Sequence, residues 1–224
     1  MRGTKLRDRL EERVLRGNAR LSRTASIAGN VMRLFTDRDF TVRAARYLLG
    51  LPVSLDTEDR RILKQVIFPY FLALPTTRDV LFVGCGWYTR HYERAFFAAC
   101  NYWTLDVAPR ARKHGARQHI IAPLERLSEY FSEGSFDLIV CNGVFGFGLD
   151  TREQCERAFA DCHSRLRSTG HFVLGWTDIP ARTPLPLETI ESLSRFQKFD
   201  FPAFGAWRYL TATPYRHTYE FYRK

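Results

Sequence analysis

The chain has 224 residues, of which 45% are apolar and 26% charged, and its formal net charge is +10. This length and composition suit either one large globular domain or one domain with a helical extension, and they exclude bulk disorder. Five cysteines without a C-x-x-C pair, and an N-terminus without an apolar signal region or membrane span, predict a reduced, soluble, cytoplasmic protein.

The first fifty residues hold twelve basic and five acidic side chains. Such a segment attracts anionic partners such as RNA, acidic lipid or a carboxylated substrate. Its interspersed acids also fit an ordinary solvated helix surface. Residues 4–24 predict a polar, basic helix with a sparse apolar stripe. Residues 37–50 and 56–74 predict two more helices, ended by Gly50 and Pro75.

The hydrophobic pattern changes at Asp79. Short apolar runs predict five strands, over residues 80–83, 102–107, 119–122, 136–141 and 172–176. Helices are predicted between them, over 88–100, 123–132 and 151–167. Strands that alternate with helices at this spacing predict a parallel sheet covered on both faces.

The C-terminal part has a different pattern. A helix is predicted over 187–198, after a proline-rich stretch. Two aromatic-rich segments follow, 206–212 and 216–223, and the turn at Thr213-Pro214 indicates that they pair as an antiparallel hairpin.

The sequence DVLFVGCGWYTR leads from the first strand into a turn with two glycines, Gly84 and Gly86. A Gly-x-Gly turn lets a ligand reach backbone N–H groups at a helix N-terminus. Asp106 ends the next strand, where an acid binds ribose hydroxyls. The last glycine of a dinucleotide-binding turn is replaced here by Thr89. A pyrophosphate is therefore disfavoured, whereas S-adenosylmethionine carries none and tolerates an aromatic neighbour.

Residues 79–176 resemble the core of the class I (Rossmann-like) S-adenosylmethionine-dependent methyltransferases. The resemblance is carried by VLFVGCG (80–86), LDVAP (105–109), GSFDLIVCNGVFGFGLD (134–150) and CHSRLRSTGHFVLGW (162–176), with RHTYEFYRK as the last strand. It implies a seven-stranded, mostly parallel sheet with helices on both faces and an antiparallel last strand. It further implies a methyltransferase domain over 76–224 and an N-terminal helical extension over 1–75 that acts as a lid.

The resemblance also implies which residues bind S-adenosylmethionine. Gly84, Gly86 and Asn142 would hold the methionine part, and Asp106 the ribose. The full predicted set is Gly84, Cys85, Gly86, Tyr88, Asp106, Val107, Leu124, Asn142 and Gly143.

Four features depart from the family pattern. An acid that often meets the adenine amino group near the end of strand three is replaced by Pro123 and Leu124, with Glu125 as a stand-in. Phe82 replaces an acid that often stands two residues before the first glycine, and Tyr88 replaces the third loop glycine. Phe147 replaces a histidine common after the fourth strand. These changes leave a catalytically inactive S-adenosylmethionine-binding partner subunit as an alternative.

Methyl transfer from a sulfonium depends largely on positioning, and it needs a base only where the nucleophile must lose a proton. Asp178 and His217 are the predicted catalytic residues, with turn formation and strand packing as their alternative roles. Arg208, Tyr215 and Arg216 are candidates to bind a carboxylate or phosphate, and a solvated hairpin face is the alternative. No cysteine or histidine spacing predicts a metal site.

The predicted acceptor is a small molecule, anionic or aromatic in character. An RNA or protein acceptor is the alternative, with the basic N-terminal segment as its docking surface. A nicotinamide oxidoreductase has no supporting residues.

Overall fold

We analysed a computed structural model that describes residues 41, 42, 45, 46, 48, 49, 51, 53 and 55–224. The predicted helix over 4–24 lies outside the described residues, as does much of the one over 37–50, although residues 41, 42, 45, 46 and 48 are helical. The chain divides into two compact units, Met1–Val53 and Ser54–Lys224. The architecture below is that of the second unit.

The second unit begins with a helix, as predicted. It comprises α1 (Glu58–Ile62), a π-helical turn (Leu63–Ile67) and α2 (Phe68–Ala73). In the π-helical turn, the Phe68 N–H donates to the carbonyl of Leu63, five residues earlier. Pro69 explains it, because a proline has no N–H to donate and its ring clashes with the carbonyl four residues back in a regular helix.

An eight-stranded sheet forms the centre of this unit, in the order β3-β2-β1-β4-β5-β8-β6, with β7 also paired to β8. Strands β1 to β5 are parallel, and β8 runs antiparallel to β5. The strands are β1 (Asp79–Val83), β2 (Asn101–Asp106), β3 (Gln118–Ile121), β4 (Phe136–Asn142), β5 (Leu166–Thr177), β6 (Gln197–Lys198), β7 (Arg208–Leu210) and β8 (His217–Arg223).

The mostly parallel, Rossmann-like sheet and the closing hairpin of the sequence analysis are confirmed. Eight strands are present where seven were expected, because β6 and β7 share the outer edge of β8. Lys198 pairs with Tyr222, whereas Arg208 pairs with Glu220.

Three predicted helices differ in the structure. The helix over 88–100 is limited to α3 (Tyr92–Ala95), and the one over 123–132 is a 3-10 turn, Leu124–Glu129. The helix over 187–198 is wrong, since this stretch forms two 3-10 turns, Leu187–Thr189 and Leu193–Arg195, followed by β6.

Tertiary hydrogen bonds account for the lost helix over 187–198. The Glu156 carboxylate accepts the backbone N–H groups of Glu191 and Ser192, both at 2.8 Å. Arg152 donates to the carbonyl and hydroxyl of Thr189. Because these groups are bonded to α4 (Arg152–Arg165), they do not form the ladder of a continuous helix. The α4 helix itself is as predicted and begins with a capping box of Thr151 and Gln154.

Alternating side chains of the strands bury two hydrophobic clusters, one on each face of the sheet. Leu81, Ile139 and Phe172 pack on the side of α4. Val80, Phe82 and Leu138 pack on the other side, against residues of the 58–73 helix. This helix is therefore part of the core of the second unit.

Candidate active site

A cleft of about 210 Å³ lies at the carboxyl ends of the parallel strands, where open α/β sheets bind ligands. Five predicted cofactor residues line it: Gly84, Asp106, Val107, Leu124 and Gly143. The lining also includes residues that the sequence analysis did not select, namely Val83, Leu105, Ala122, Pro123, Glu125, Val144, Phe147, Gly148, Leu149 and Gln154. The walls are mainly apolar, which suits a flat heterocycle such as adenine.

The glycine turn needs its first glycine for two reasons. Gly84 has a φ of +93°, and a Cβ there would lie 2.4 Å from the carbonyl oxygen of Asn142. The close approach therefore joins the end of β1 to the end of β4. The chain turns tightly after Gly86, because the Gly86 N–H donates to the Thr89 hydroxyl and the Thr89 N–H to the Gly86 carbonyl.

Asp106 is held at the end of β2 by two backbone groups. Its carboxylate accepts the N–H of Cys85 and the N–H of Ala108, each at 2.8 Å. Each oxygen keeps a further lone pair, so the carboxylate can still accept the two hydroxyls of a ribose.

Cys85 contributes its backbone to this arrangement. Burial, together with the charge of Asp106, raises the pKa of its thiol to about 12. The side chain therefore stays a neutral thiol near neutral pH and is not an activated nucleophile.

Tyr88 covers the second glycine of the turn. A Cβ on Gly86 would lie 2.7 Å from the Tyr88 ring. Arg60, from α1, donates to the Tyr88 hydroxyl at 3.1 Å and places its guanidinium 4.4 Å from the ring centre. Tyr88 is thus fixed over the glycine turn, while Trp87 makes an edge contact with it at 5.5 Å.

Asn142 and His217 form a buried hydrogen bond beside the turn, between Oδ1 and Nε2 at 3.0 Å. Each is 3% exposed. The Asn142 amide nitrogen is buried without a partner among the described residues. Gly175 makes room for the pair, since a Cβ there would lie 2.2 Å from the Asn142 Oδ1.

Two charged residues of α1 extend this buried polar cluster. Asp59 accepts the Tyr215 hydroxyl at 2.7 Å and pairs with Arg60 at 3.2 Å, and it is 2% exposed. Its backbone carbonyl accepts the Tyr219 hydroxyl at 2.9 Å. Neither Asp59 nor Arg60 was predicted as a site residue from the sequence, because acids and bases at a helix start normally face solvent.

The electrostatics of the cluster follow from its burial. Burial lowers the pKa of His217 to about 4, against the opposing charge of Asp59, so the imidazole is neutral near pH 7. Burial alone would raise the pKa of Asp59, but the Tyr215 hydroxyl and Arg60 keep it below its ordinary value. The cluster therefore carries one anion, Asp59, and one cation, Arg60.

Asp178 lies at the end of β5, outside this cluster, on the more exposed rim of the site. Its N–H donates to the carbonyl of Arg216 at 3.0 Å, and its carboxylate lies 3.3 Å from the Arg216 guanidinium. Arg182 follows on the same turn and lies 4.5 Å above the ring of Phe147, a residue of the cleft. The predicted residues Asp178 and His217 thus flank the carboxyl end of β5 at different depths.

Other candidates have structural partners. Phe145 and Trp176 are buried in the core and contact each other edge to face at 5.9 Å. Arg208 pairs with Glu188 and with the fully buried Glu220. Cys155 and Cys162 are buried on α4 and pack in the core. In the described part of the chain, no group of three or more His, Cys, Asp or Glu could hold a metal ion.

Comparison with known proteins identifies a domain match in the central part of the chain. The family model of the methyltransferase domain matches residues 81–174. No curated protein matches the chain. Among the helices that the structure describes, none combines the length and apolar character needed to cross a membrane.

Solved structures share the fold. The N-methyltransferase NodS from Bradyrhizobium japonicum WM9 matches at 16% identity and a TM-score of 0.58, over 76% of this chain and 99% of its own. Its complex with S-adenosyl-L-homocysteine matches at 18% identity with the same TM-score, over 75% and 89%. A TehB-like S-adenosylmethionine-dependent methyltransferase from Corynebacterium glutamicum matches at 18% identity and a TM-score of 0.53, over 81% and 93%.

The residues present fit S-adenosylmethionine. The apolar cleft suits adenine, the Asp106 carboxylate has lone pairs for the ribose, and the Asn142 amide nitrogen is a buried donor without a partner. The glycine turn itself does not suit a pyrophosphate, because the Tyr88 ring covers Gly86. Residues 81–174 match the methyltransferase-domain family model, and the chain shares the fold of the class I, Rossmann-like, S-adenosylmethionine-dependent methyltransferases.

Proposed function

We propose that the protein methylates a small-molecule acceptor. The observation that supports this choice is the enclosure of the polar cluster beside the glycine turn. Asp59 and Arg60 of α1, together with Asn142 and His217, are at most 8% exposed, and Tyr88 bonds to Arg60. A folded protein or a polynucleotide would need a more open approach, whereas a small molecule can enter from the rim at Asp178.

Different residues of the chain would bind the different parts of S-adenosylmethionine. S-adenosylmethionine, when bound, supplies a methyl group on a positively charged sulfur. Asp106 would accept the ribose hydroxyls, Val107 and Leu124 would contact the adenine, and the turn at Gly84, Cys85 and Gly86 would line the methionine part. Gly143 and the Asn142 amide would complete that side. Tyr88 would place an aromatic ring near the sulfonium, a favourable neighbour for a cation.

Asp178 and His217 take different roles in this proposal. Asp178 would accept the proton that an O–H, N–H or S–H acceptor loses as its bond to the methyl carbon forms and the sulfur–methyl bond breaks. Its side chain is 40% exposed, so an entering acceptor can reach it. His217 is buried and bonded to Asn142, and it would act by orienting that amide.

The lid assignment for residues 1–75 is also part of the proposal. The 58–73 helix would be a fixed part of this cover, because it packs in the core of the second unit and its Asp59 and Arg60 bond to Tyr215 and Tyr88.

Calorimetry with S-adenosylhomocysteine tests the cofactor site. We expect micromolar binding by the wild type and a loss of tenfold or more for Asp106→Ala, with Asp137→Ala as a control at the opposite end of the sheet. No binding by the wild type would overturn the proposal. Turnover is then tested by mass spectrometry on a panel of small carboxylic acids, phenols and amines. Cofactor binding without any methyl transfer would favour the inactive partner subunit.

A nucleic-acid acceptor is the second candidate, and one surface favours it. Residues 90–117 carry only two acids, Glu93 and Asp106, and six exposed basic side chains: Arg90, Arg94, Arg110, Arg112, Lys113 and Arg117. Glu93 pairs with Arg117 at 3.5 Å.

The two acceptor classes differ in salt dependence. If this surface binds phosphates, the affinity for a duplex RNA falls with salt at a slope of roughly 0.9 per phosphate contact. The triple variant Arg110→Gln/Arg112→Gln/Lys113→Gln should then flatten the slope. The triple variant Arg61→Gln/Arg157→Gln/Arg195→Gln removes the same charge elsewhere and serves as the control. Equal slopes for both variants would leave the small-molecule acceptor as the better candidate.

A further inference from the structure

We propose that Arg216 is an anion-binding residue of the acceptor site, and that the acceptor carries a carboxylate or phosphate group. This inference rests on the proposed function, since it concerns the substrate of the same site. It assigns a residue that was only one of three candidates in the sequence.

The backbone of Arg216 is the first observation. Its φ is +49°, and it is the only residue other than glycine with a positive φ in the described part of the chain. Side chains with a Cβ occupy this region at an energetic cost, and glycine does not. The position would suit glycine or asparagine better on stability grounds. Retained strain of this kind is found where a side chain serves a function.

The position of the side chain is the second observation. Arg216 immediately precedes His217, the partner of Asn142, and its carbonyl is bonded to the Asp178 N–H. The strained residue thus lies where β5 ends and β8 begins, beside the cofactor cleft. An anion held here is next to both predicted catalytic residues.

The Arg216 guanidinium has N–H donors available for an external anion. Its side chain is 54% exposed, and its two contacts are long, 3.2 Å to the Asp178 carbonyl and 3.3 Å to the Asp178 carboxylate. A guanidinium has five N–H donors arranged for two parallel bonds to a carboxylate or phosphate. Arg182, on the turn after β5, adds a second positive charge. Asp178 offsets one of the two charges, so the rim keeps a net attraction for anions.

The two other candidate residues are already engaged. Arg208 binds the carboxylates of Glu188 and Glu220, on the outer edge of β8. Tyr215 donates its hydroxyl to the buried Asp59. Arg216 is therefore the member of the group that can take an external anion.

The test uses the full chain saturated with S-adenosylhomocysteine and two probes, 4-fluorobenzoate followed by fluorine NMR and inorganic phosphate followed by calorimetry. We expect the wild type to bind at least one probe in the millimolar range or tighter. Arg216→Gly and Arg216→Asn should weaken that binding at least tenfold, and Arg216→Lys by less, because it keeps the charge and loses the paired donors. Arg195→Gln, an exposed cation elsewhere, should bind as the wild type does.

Measurements of Tm and of cofactor affinity distinguish a loss of anion binding from a loss of the fold. Arg216→Gly should leave the affinity for S-adenosylhomocysteine within twofold and should leave the Tm unchanged or raise it by about 2–4 °C, as expected if the strain is relieved. The inference is overturned if neither anion binds the saturated wild type, or if the glycine variant binds both as well as the wild type. Failure of the wild type to bind S-adenosylhomocysteine would instead overturn the proposed function itself.

Discussion

The Nε2 of His217 lies 3.0 Å from the Oδ1 of Asn142, in a place where both side chains are 3% exposed. An amide oxygen only accepts hydrogen bonds, so His217 must carry its proton on Nε2. Burial lowers the pKa of His217 to about 4 and keeps the ring neutral. The neutral ring holds the amide in one orientation, with its nitrogen available as a donor.

Replacement of His217 therefore tests the orientation of Asn142. In His217→Leu the buried amide oxygen loses its donor, which costs about 1–3 kcal/mol. We expect lower stability and a Kd for S-adenosylhomocysteine raised about tenfold. His217→Gln keeps a hydrogen-bond donor and should lose less stability and less affinity for S-adenosylhomocysteine. If the leucine variant binds S-adenosylhomocysteine like the wild type, Asn142 does not act through this bond.

Gly175 provides a second test of the same pair. A Cβ at position 175 would lie 2.2 Å from the Asn142 Oδ1 and 3.0 Å from the His217 Nε2. Gly175→Ala should therefore displace the amide and destabilise the protein by about 1–3 kcal/mol. The same substitution in an Asn142→Ala background should cost less, because the nearest clashing atom, the Asn142 Oδ1, is gone. Urea unfolding of the four proteins gives this coupling directly, and equal costs in both backgrounds would contradict it.

The strands and the ends that carry the cofactor residues were predictable from the sequence. Apolar runs bounded by Gly84, Asp106 and Asn142 specify both the strands and the edge of the sheet where they end. The hairpin of β7 and β8 was predictable from its aromatic runs and its proline turn. These features depend on neighbours in the chain.

The features that the sequence did not reveal depend on distant partners. The helix predicted from position 88 does not form there, because the Thr89 hydroxyl bonds to the N–H and the carbonyl of Gly86 and to the carbonyl of His114. Nothing in the local pattern at Asp59 distinguishes its burial, which requires Tyr215, 156 residues later. The lining of the cleft by Phe147 likewise follows from the path of the loop after β4.

The pair of Asp59 and Arg60 should behave as a buried ion pair. Arg60→Met leaves the Asp59 carboxylate buried with only its neutral Tyr215 donor, and we expect a loss of about 3–5 kcal/mol. The double variant Asp59→Asn/Arg60→Met removes both charges and should be the more stable of the two. Urea unfolding compares them. Arg61→Met, at an exposed neighbour, is the control and should change stability by less than about 0.5 kcal/mol.

The same cluster predicts how stability depends on pH. The pKa of His217 is about 4 in the folded protein and 6.5 without burial, so the unfolded chain takes up a proton that the folded chain does not. The contribution of neutral His217 to the free energy of unfolding is therefore fully present above about pH 6.5. It is lost as the pH falls from there towards 4.

Comparison with His217→Gln isolates this contribution. The five other histidines also have pKa values lowered by burial, so the variant retains part of the pH dependence. Between pH 7 and pH 5 the wild type should lose more stability than the variant, by at most about 2 kcal/mol. Urea unfolding at pH 7, 6 and 5 measures the difference. Parallel losses in the two proteins would mean that His217 titrates as an ordinary histidine and that the buried bond to Asn142 does not hold it neutral.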